Sequence, residues 1–197
     1  AQVPWYDVSS NIKTVVFADI ISPVSTAYWF YGMSNCTSMD LINLDTTSVM
    51  DMSYMVYKWS KLTTIYVSTL WGTKNVINSN NMFSNCESII GSAGTKYNSS
   101  YTDVVRARID GGTGAKGYLS SKYNLSYNID VLNEGDIATP EVTSIDGDTN
   151  FAINGYELVS GSEYVTLNTE TGRITGIGPG TAVIKVILTT TKGVEYT

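Results

Sequence analysis

The sequence predicts a mixed fold: a short right-handed solenoid of parallel strands and short helical turns, followed by an all-β sandwich. Three observations predict it. A pattern of aromatic and sulfur-bearing residues recurs at steps of 26 and 27 residues through the first half of the chain. The second half breaks into short alternating runs separated by Gly and Asn turns. Charge is sparse, at 15% of the 197 residues, against an apolar fraction of 43%, so a core is within reach.

The repeat comes first, because missing one misreads the whole fold. The segments from Trp29 to Leu41, from Met55 to Val67 and from Met82 to Ile89 align. Upstream, Val49, Met52 and Met55 step by three, as do Val76, Ser79 and Met82. Such steps predict a short helical or 3-10 turn with one buried stripe. Downstream, Leu62, Ile65 and Val67 carry the L-x-x-L-x-L spacing of a leucine-rich-repeat strand. Cys36, Met39 and Leu41 fill the same slots, as do Ile12, Val15 and Phe17. A turn and a strand alone cannot bury their apolar faces, whereas neighbouring units share one core. The expected repeats run over about 5–41, 42–67 and 68–91, closed by a cap over 92–122.

These residues resemble the BspA-like leucine-rich-repeat bacterial surface proteins, whose repeat also occurs in mycoplasma lipoproteins. That repeat reads M-F-x-x-C-x-x-L-x-x-L-x-L, then N-x-D-T-x-x-V-x-x-M. The linking part is matched by Leu44-Asp45-Thr46-Thr47-Ser48-Val49, and the stretch from Gly94 to Leu119 resembles the segment that closes such arrays. The departures are Trp29 at the first Met slot, Met33 and Trp59 at the Cys slot, and Cys36 at a Leu slot. The resemblance covers residues 1–122 and implies attachment to host proteins or other cells.

The two cysteines, Cys36 and Cys86, occupy different slots two repeats apart. At roughly 5 Å per strand spacing they would lie about 10 Å apart, beyond the ~7 Å Cα separation a disulfide spans. Two reduced, buried thiols are expected. A zinc site needs clustered Cys and His, and the chain has no His.

Composition shifts after Lys122, with a linker expected over 123–133 and a second domain over 134–197. The run from Ser160 to Val186 reads S-x-x-x-V-T-L, a turn at Asn168 to Gly172, I-T-G-I, then G-T-A-x-I-K-V. Alternating strands split by such turns argue for a sandwich. The run resembles the bacterial immunoglobulin-like (Big) domain, whose members act as spacers or stalks on bacterial surfaces. Its last strand is expected to be cut short near Thr197, and the whole to be part of a longer extracellular protein with its anchor elsewhere.

Several functions are disfavoured. The net charge of −6 and the absence of any Lys/Arg run argue against nucleic acid and anionic membranes. No apolar run approaches a membrane span. Without His, Ser–His and Cys–His nucleophiles are excluded. Asp103, Asp110, Asp130 and Glu134 are spread over turns and links, as surface charges rather than a catalytic pair. Asp146, Asp148 and Asn150 alternate, with Glu157 eleven beyond Asp146. The spacing resembles a calcium loop, but Phe151 stands where that loop needs Gly. An Asp-Gly turn is the simpler reading. No enzyme, cofactor or metal is expected.

The outward residues of the repeat strands are Thr14 and Val16, Ser38 and Asp40, and Thr64 and Tyr66. Repeat proteins bind along such faces, and Tyr is frequent in interface hot spots. The expected function is a non-catalytic surface module that recognises a host or neighbouring-cell protein or glycan through that face. The alternatives are a structural spacer and a carbohydrate-binding accessory module.

Overall fold

A computed structural model describes residues 3–145, 147–191, 193 and 195–196, the last two by backbone alone. The chain divides into two compact units, Ala1–Ser121 and Lys122–Thr197.

In the first unit, β1 (Thr14–Val16), β2 (Ser38–Asp40), β3 (Thr64–Val67) and β4 (Ser120–Ser121) pair in that order, all parallel. Val15, Met39 and Ile65 share one register row, with Met39 and Ile65 buried. The alternation along each strand sends the middle residue into the core. Side-chain bonds tie each repeat to the next at nearly constant separation. Asn43 donates to the Phe17 carbonyl at 2.7 Å, Thr46 to Gly72 at 2.9 Å and Ser68 to Ile42 at 2.6 Å, each pair 26 residues apart.

Away from the sheet, alternate amides bridge between repeats. Thr26, Tyr28, Phe30 and Gly32 donate to Asp51, Ser53, Met55 and Tyr57. Met52, Tyr54, Val56 and Lys58 donate onward to Asn78, Asn80, Met82 and Ser84. The amides between them close local turns, such as Met55 to Met52 at 3.2 Å. Left-handed backbone recurs at Tyr28, Tyr54 and Asn81, with φ of 61°, 55° and 56°, and again at Gly32, Lys58 and Asn85.

These features overturn the expected fold class. No α-helix forms among the described residues, and the 3-10 helices at Tyr6–Asn11, Val104–Arg106 and Gly112–Gly114 lie outside the three-residue steps. An α-helix needs successive amides bonded to the fourth residue back and cannot hold left-handed residues without strain. Here every second amide is committed to the neighbouring repeat instead. What forms is mostly strand, in several small open sheets, and not a leucine-rich-repeat-like solenoid followed by an immunoglobulin-like sandwich.

One cluster of buried hydrophobic side chains fills the first unit, with Phe30, Met33, Trp59, Phe83 and Tyr118 among its largest members. The closing segment is organised by Asp110, which is only 5% exposed. Its carboxylate accepts from the amides of Ala93, Thr95, Gly112 and Gly117 and from the Thr95 hydroxyl, at 2.7–3.3 Å. The backbone of this segment packs so closely that a Cβ on Gly117 would sit 2.1 Å from the Arg108 carbonyl oxygen.

The second unit holds three small sheets. β5 (Tyr123–Tyr127) pairs antiparallel with β7 (Pro140–Ser144), so the expected linker begins with a strand. β6 (Ile137–Ala138) and β9 (Val165–Leu167) flank β10 (Ile174–Gly176). β8 (Phe151–Ser160) pairs with β11 (Val183–Thr190), whose other neighbour is β12 (Glu195–Tyr196). The turn between β9 and β10 is fixed by Asn168, whose side-chain oxygen accepts from Glu170 and Thr171. An immunoglobulin sandwich needs two broad inner faces that interdigitate. Strands of two or three residues in β6, β9 and β10 do not supply them. Register also shifts along the β8–β11 pair, between Val183 and Ile184 and between Ile187 and Leu188.

Candidate recognition surfaces

The parallel sheet sets the expected face in two register rows. Thr14, Ser38 and Thr64 form one, and Val16, Asp40, Tyr66 and Ser120 the other. Val16 is 67% exposed and Thr14 is exposed, while Ser38, Asp40, Thr64 and Tyr66 are half-buried. The sheet therefore brings all six residues together. Asp40 also accepts from the Ile42 amide at 3.2 Å, which fastens the turn after β2.

A second surface was not anticipated. Tyr28 stacks on Tyr54 with ring centroids 4.9 Å apart and planes 12° apart. Tyr31 stacks on Tyr57 at 5.0 Å and 18°. Within each repeat the two tyrosines also touch, at 5.8 Å and 5.3 Å. The Lys58 ammonium lies 5.4 Å from the Tyr57 centroid, and Asn81 donates to the Tyr54 hydroxyl at 2.9 Å. Tyr28 is exposed and the other three rings are half-buried. The same segments expose Val24, Met50 and Ile77 at 67%, 51% and 85%. These three are neighbours through the Met50 amide to the Val24 carbonyl and the Ile77 amide to that of Met50. The signal was present in the sequence: Tyr-x-x-Tyr occurs at 28–31 and again 26 residues later at 54–57.

The remaining candidates are accounted for by local bonding. Asp103 accepts from the Val105 amide at 3.1 Å, and Asp110 is saturated as described. Burial acts against ionisation of Asp110, yet the hydrogen bonds from Thr95, Gly112 and Gly117 outweigh it and hold its carboxyl below the ordinary value. Asp130 and Glu134 are exposed in the second unit. In the calcium-like loop Asp146 lies outside the described residues. Asp148 accepts from the amide and side chain of Asn150 at 2.9 Å and lies 3.8 Å from the Lys122 ammonium. Glu157 faces Lys185 at 3.9 Å. Among the described residues no three His, Cys, Asp or Glu side chains gather as metal ligands.

Cys36 and Cys86 are free and buried. The Cys86 thiol donates to the Val56 carbonyl at 2.8 Å, and burial pushes its pKa up to about 12. Burial raises that of Cys36 as well. Both keep their protons at neutral pH and are poor nucleophiles. Among the described residues no helix is long and apolar enough to cross a membrane.

No curated protein and no solved structure matches the chain. Residues 19–110, which take in most of the first repeat, the other two and most of the closing segment, match the family described as Mycoplasma protein of unknown function, DUF285.

Proposed function

We propose that the chain is a non-catalytic recognition module on the outside of a bacterial cell, with its anchor in another part of the protein. Its partner is a protein on a host or neighbouring cell. The kinship with BspA-like surface proteins read from the repeat motif belongs to the same proposal, and the mycoplasma family match is in keeping with it.

The observation that carries the reading is the placement of Tyr28 and Tyr54. Both hold left-handed backbone, which costs a bulky residue on the order of 1 kcal/mol or more. In the third repeat the slot is filled by Asn81, a residue that tolerates this conformation well. The backbone alone would be served by Asn in all three. Tyrosine instead builds a stacked aromatic surface, on segments that also expose Val24, Met50 and Ile77. Contiguous exposed apolar and aromatic side chains mark interaction sites, and tyrosine contributes large contact area at low entropic cost.

Binding of the whole chain to a panel of extracellular-matrix proteins and glycans tests this. The Tyr28→Ser/Tyr54→Ser pair is expected to lose at least tenfold in affinity for the captured protein with its circular dichroism unchanged. A Tyr66→Ala variant reports separately on the sheet face. Silence across the panel would sink the recognition reading and leave the spacer. Binding to glycans alone would replace the protein partner with the carbohydrate one.

A further inference from the structure

We propose that the closing segment of the first unit carries a binding site for an oxyanion, a sulfate or phosphate group. The site is separate from the tyrosine surface and does not rest on it. It is a cleft of about 290 Å³, lined by Lys96, Arg106 and Lys116 with Thr95, Asn98 and Thr113. Every charged residue that lines it is a cation, in a chain whose 18 acids outnumber its 12 bases.

Two of the three cations are disposed to act on a ligand, and the third is held beside them by the protein. Lys96 and Lys116 are exposed, and among the described residues neither lies within ion-pair distance of a carboxylate. Arg106 is held in place. Its Nη1 donates to the Lys116 carbonyl at 3.2 Å, and its guanidinium lies 4.2 Å from the Tyr101 ring centroid. A planar guanidinium fixed in this way has further N–H donors in a fork that suits sulfate and phosphate oxygens.

Asp110 lies behind Thr95 and Gly112, but both its oxygens are occupied. It fixes the two walls of the cleft at 93–95 and 112–117, and three positive charges against its one leave the site cationic. A second cleft, of about 370 Å³, contains Lys13 and Lys61, with one donor of the Lys61 ammonium already bonded to Asn35 at 2.8 Å.

The size selects the ligand. Small-molecule sites run from roughly 300 to 1,000 Å³, so a cleft near the lower end of that range suits an ion or one sugar-sized group. The Thr113 hydroxyl and the Asn98 side-chain NH2 on its lining suit sugar hydroxyls.

The test is titration of the whole chain with inorganic sulfate, inorganic phosphate, N-acetylglucosamine 6-sulfate and unmodified N-acetylglucosamine, followed by amide NMR shifts. Saturable shifts at 94–98 and 112–117 are expected with the anionic probes and not with the neutral sugar. Raising NaCl from 20 to 500 mM should weaken them, because exposed charges are screened. Lys96→Ala/Lys116→Ala is expected to lose at least tenfold in affinity, and Lys13→Ala/Lys61→Ala to lose nothing. Tighter binding of the sugar sulfate than of inorganic sulfate assigns a glycan source, and equal binding assigns the free ion; both uphold the oxyanion site. Absence of saturable shifts, or full affinity in the Lys96/Lys116 variant, would overturn it.

Discussion

The two units hold themselves together by different means. In the first, 21 buried hydrophobic residues form one continuous cluster, and alternate amides of residues 26–32 and 52–58 bond to the next repeat. In the second, the buried hydrophobic residues among those described are Tyr123, Ala138, Tyr156, Val165, Ile174 and Leu188, and the strands divide into three sheets. Similar strand-rich sequence therefore gives a shared core in one case and several small sheets in the other. The difference lies in periodicity. A fixed step of 26 or 27 residues brings equivalent side chains to the same place repeatedly, so that apolar area accumulates. Without that step, no equivalent positions stack and less apolar area is buried.

The largest expected effect comes from Trp59→Ala. Trp59 is fully buried, edge-on to Phe30 at 6.2 Å, and its indole N–H donates to the Phe30 carbonyl. The substitution should cost about 3–5 kcal/mol, read by urea unfolding. Hydrogen exchange should rise at 52–58 while the amides of β8 and β11 stay as they were. If both units loosen together, the division drawn between them fails.

The next effect sharpens the contrast through pH. Asp110→Ala leaves the amides of Ala93, Thr95, Gly112 and Gly117 without their acceptor, a loss of about 3 kcal/mol. Because the folded carboxyl titrates below its ordinary value, its stabilisation is complete above the unfolded pKa of about 3.9. It disappears as pH falls through the lower folded value. Acid should therefore loosen the closing segment in the parent, and the Asp110→Ala variant should lose that part of the pH dependence. Fluorescence-monitored unfolding at pH 2–6 checks it.

The smallest effect is the most diagnostic of purpose. Tyr54→Asn removes ring stacking worth about 0.5–1.5 kcal/mol and relieves left-handed strain of similar size. Stability should stay within about 1 kcal/mol by thermal melting. A much larger loss would mean that the tyrosine rows serve the fold of the first unit and not a partner.

Much of the first unit was legible in residue identities. Met33, Trp59 and Cys86 share one buried slot because side chains of different shape fill equivalent space. The outward rows from Thr14 to Tyr66 follow from strand alternation. The helical turns were misread for a definite reason. Steps of three at Val49, Met52 and Met55 are met equally by a helix and by hydrogen-bonded turns. What decides between them is the left-handed backbone at Tyr54, which a Tyr does not advertise. In the second unit the run from Ser160 to Val186 revealed β9, β10 and β11. The pairing of β5 with β7 joins residues far from that run, and no local pattern announces it. The tyrosine pairs stand in the sequence as Tyr-x-x-Tyr, and the fold aligns them into rows.

The near-constant separation of the bonds between repeats also bears on how the molecule is made. Asn43 to Phe17, Thr46 to Gly72 and Ser68 to Ile42 each close a loop of 26 residues. The entropy of closing a loop grows only with the logarithm of its length, so each repeat meets the same modest barrier as the one before it. A growing chain can add each segment to the existing edge once some 26 further residues have emerged, without waiting for its far end. Folding can thus keep step with synthesis.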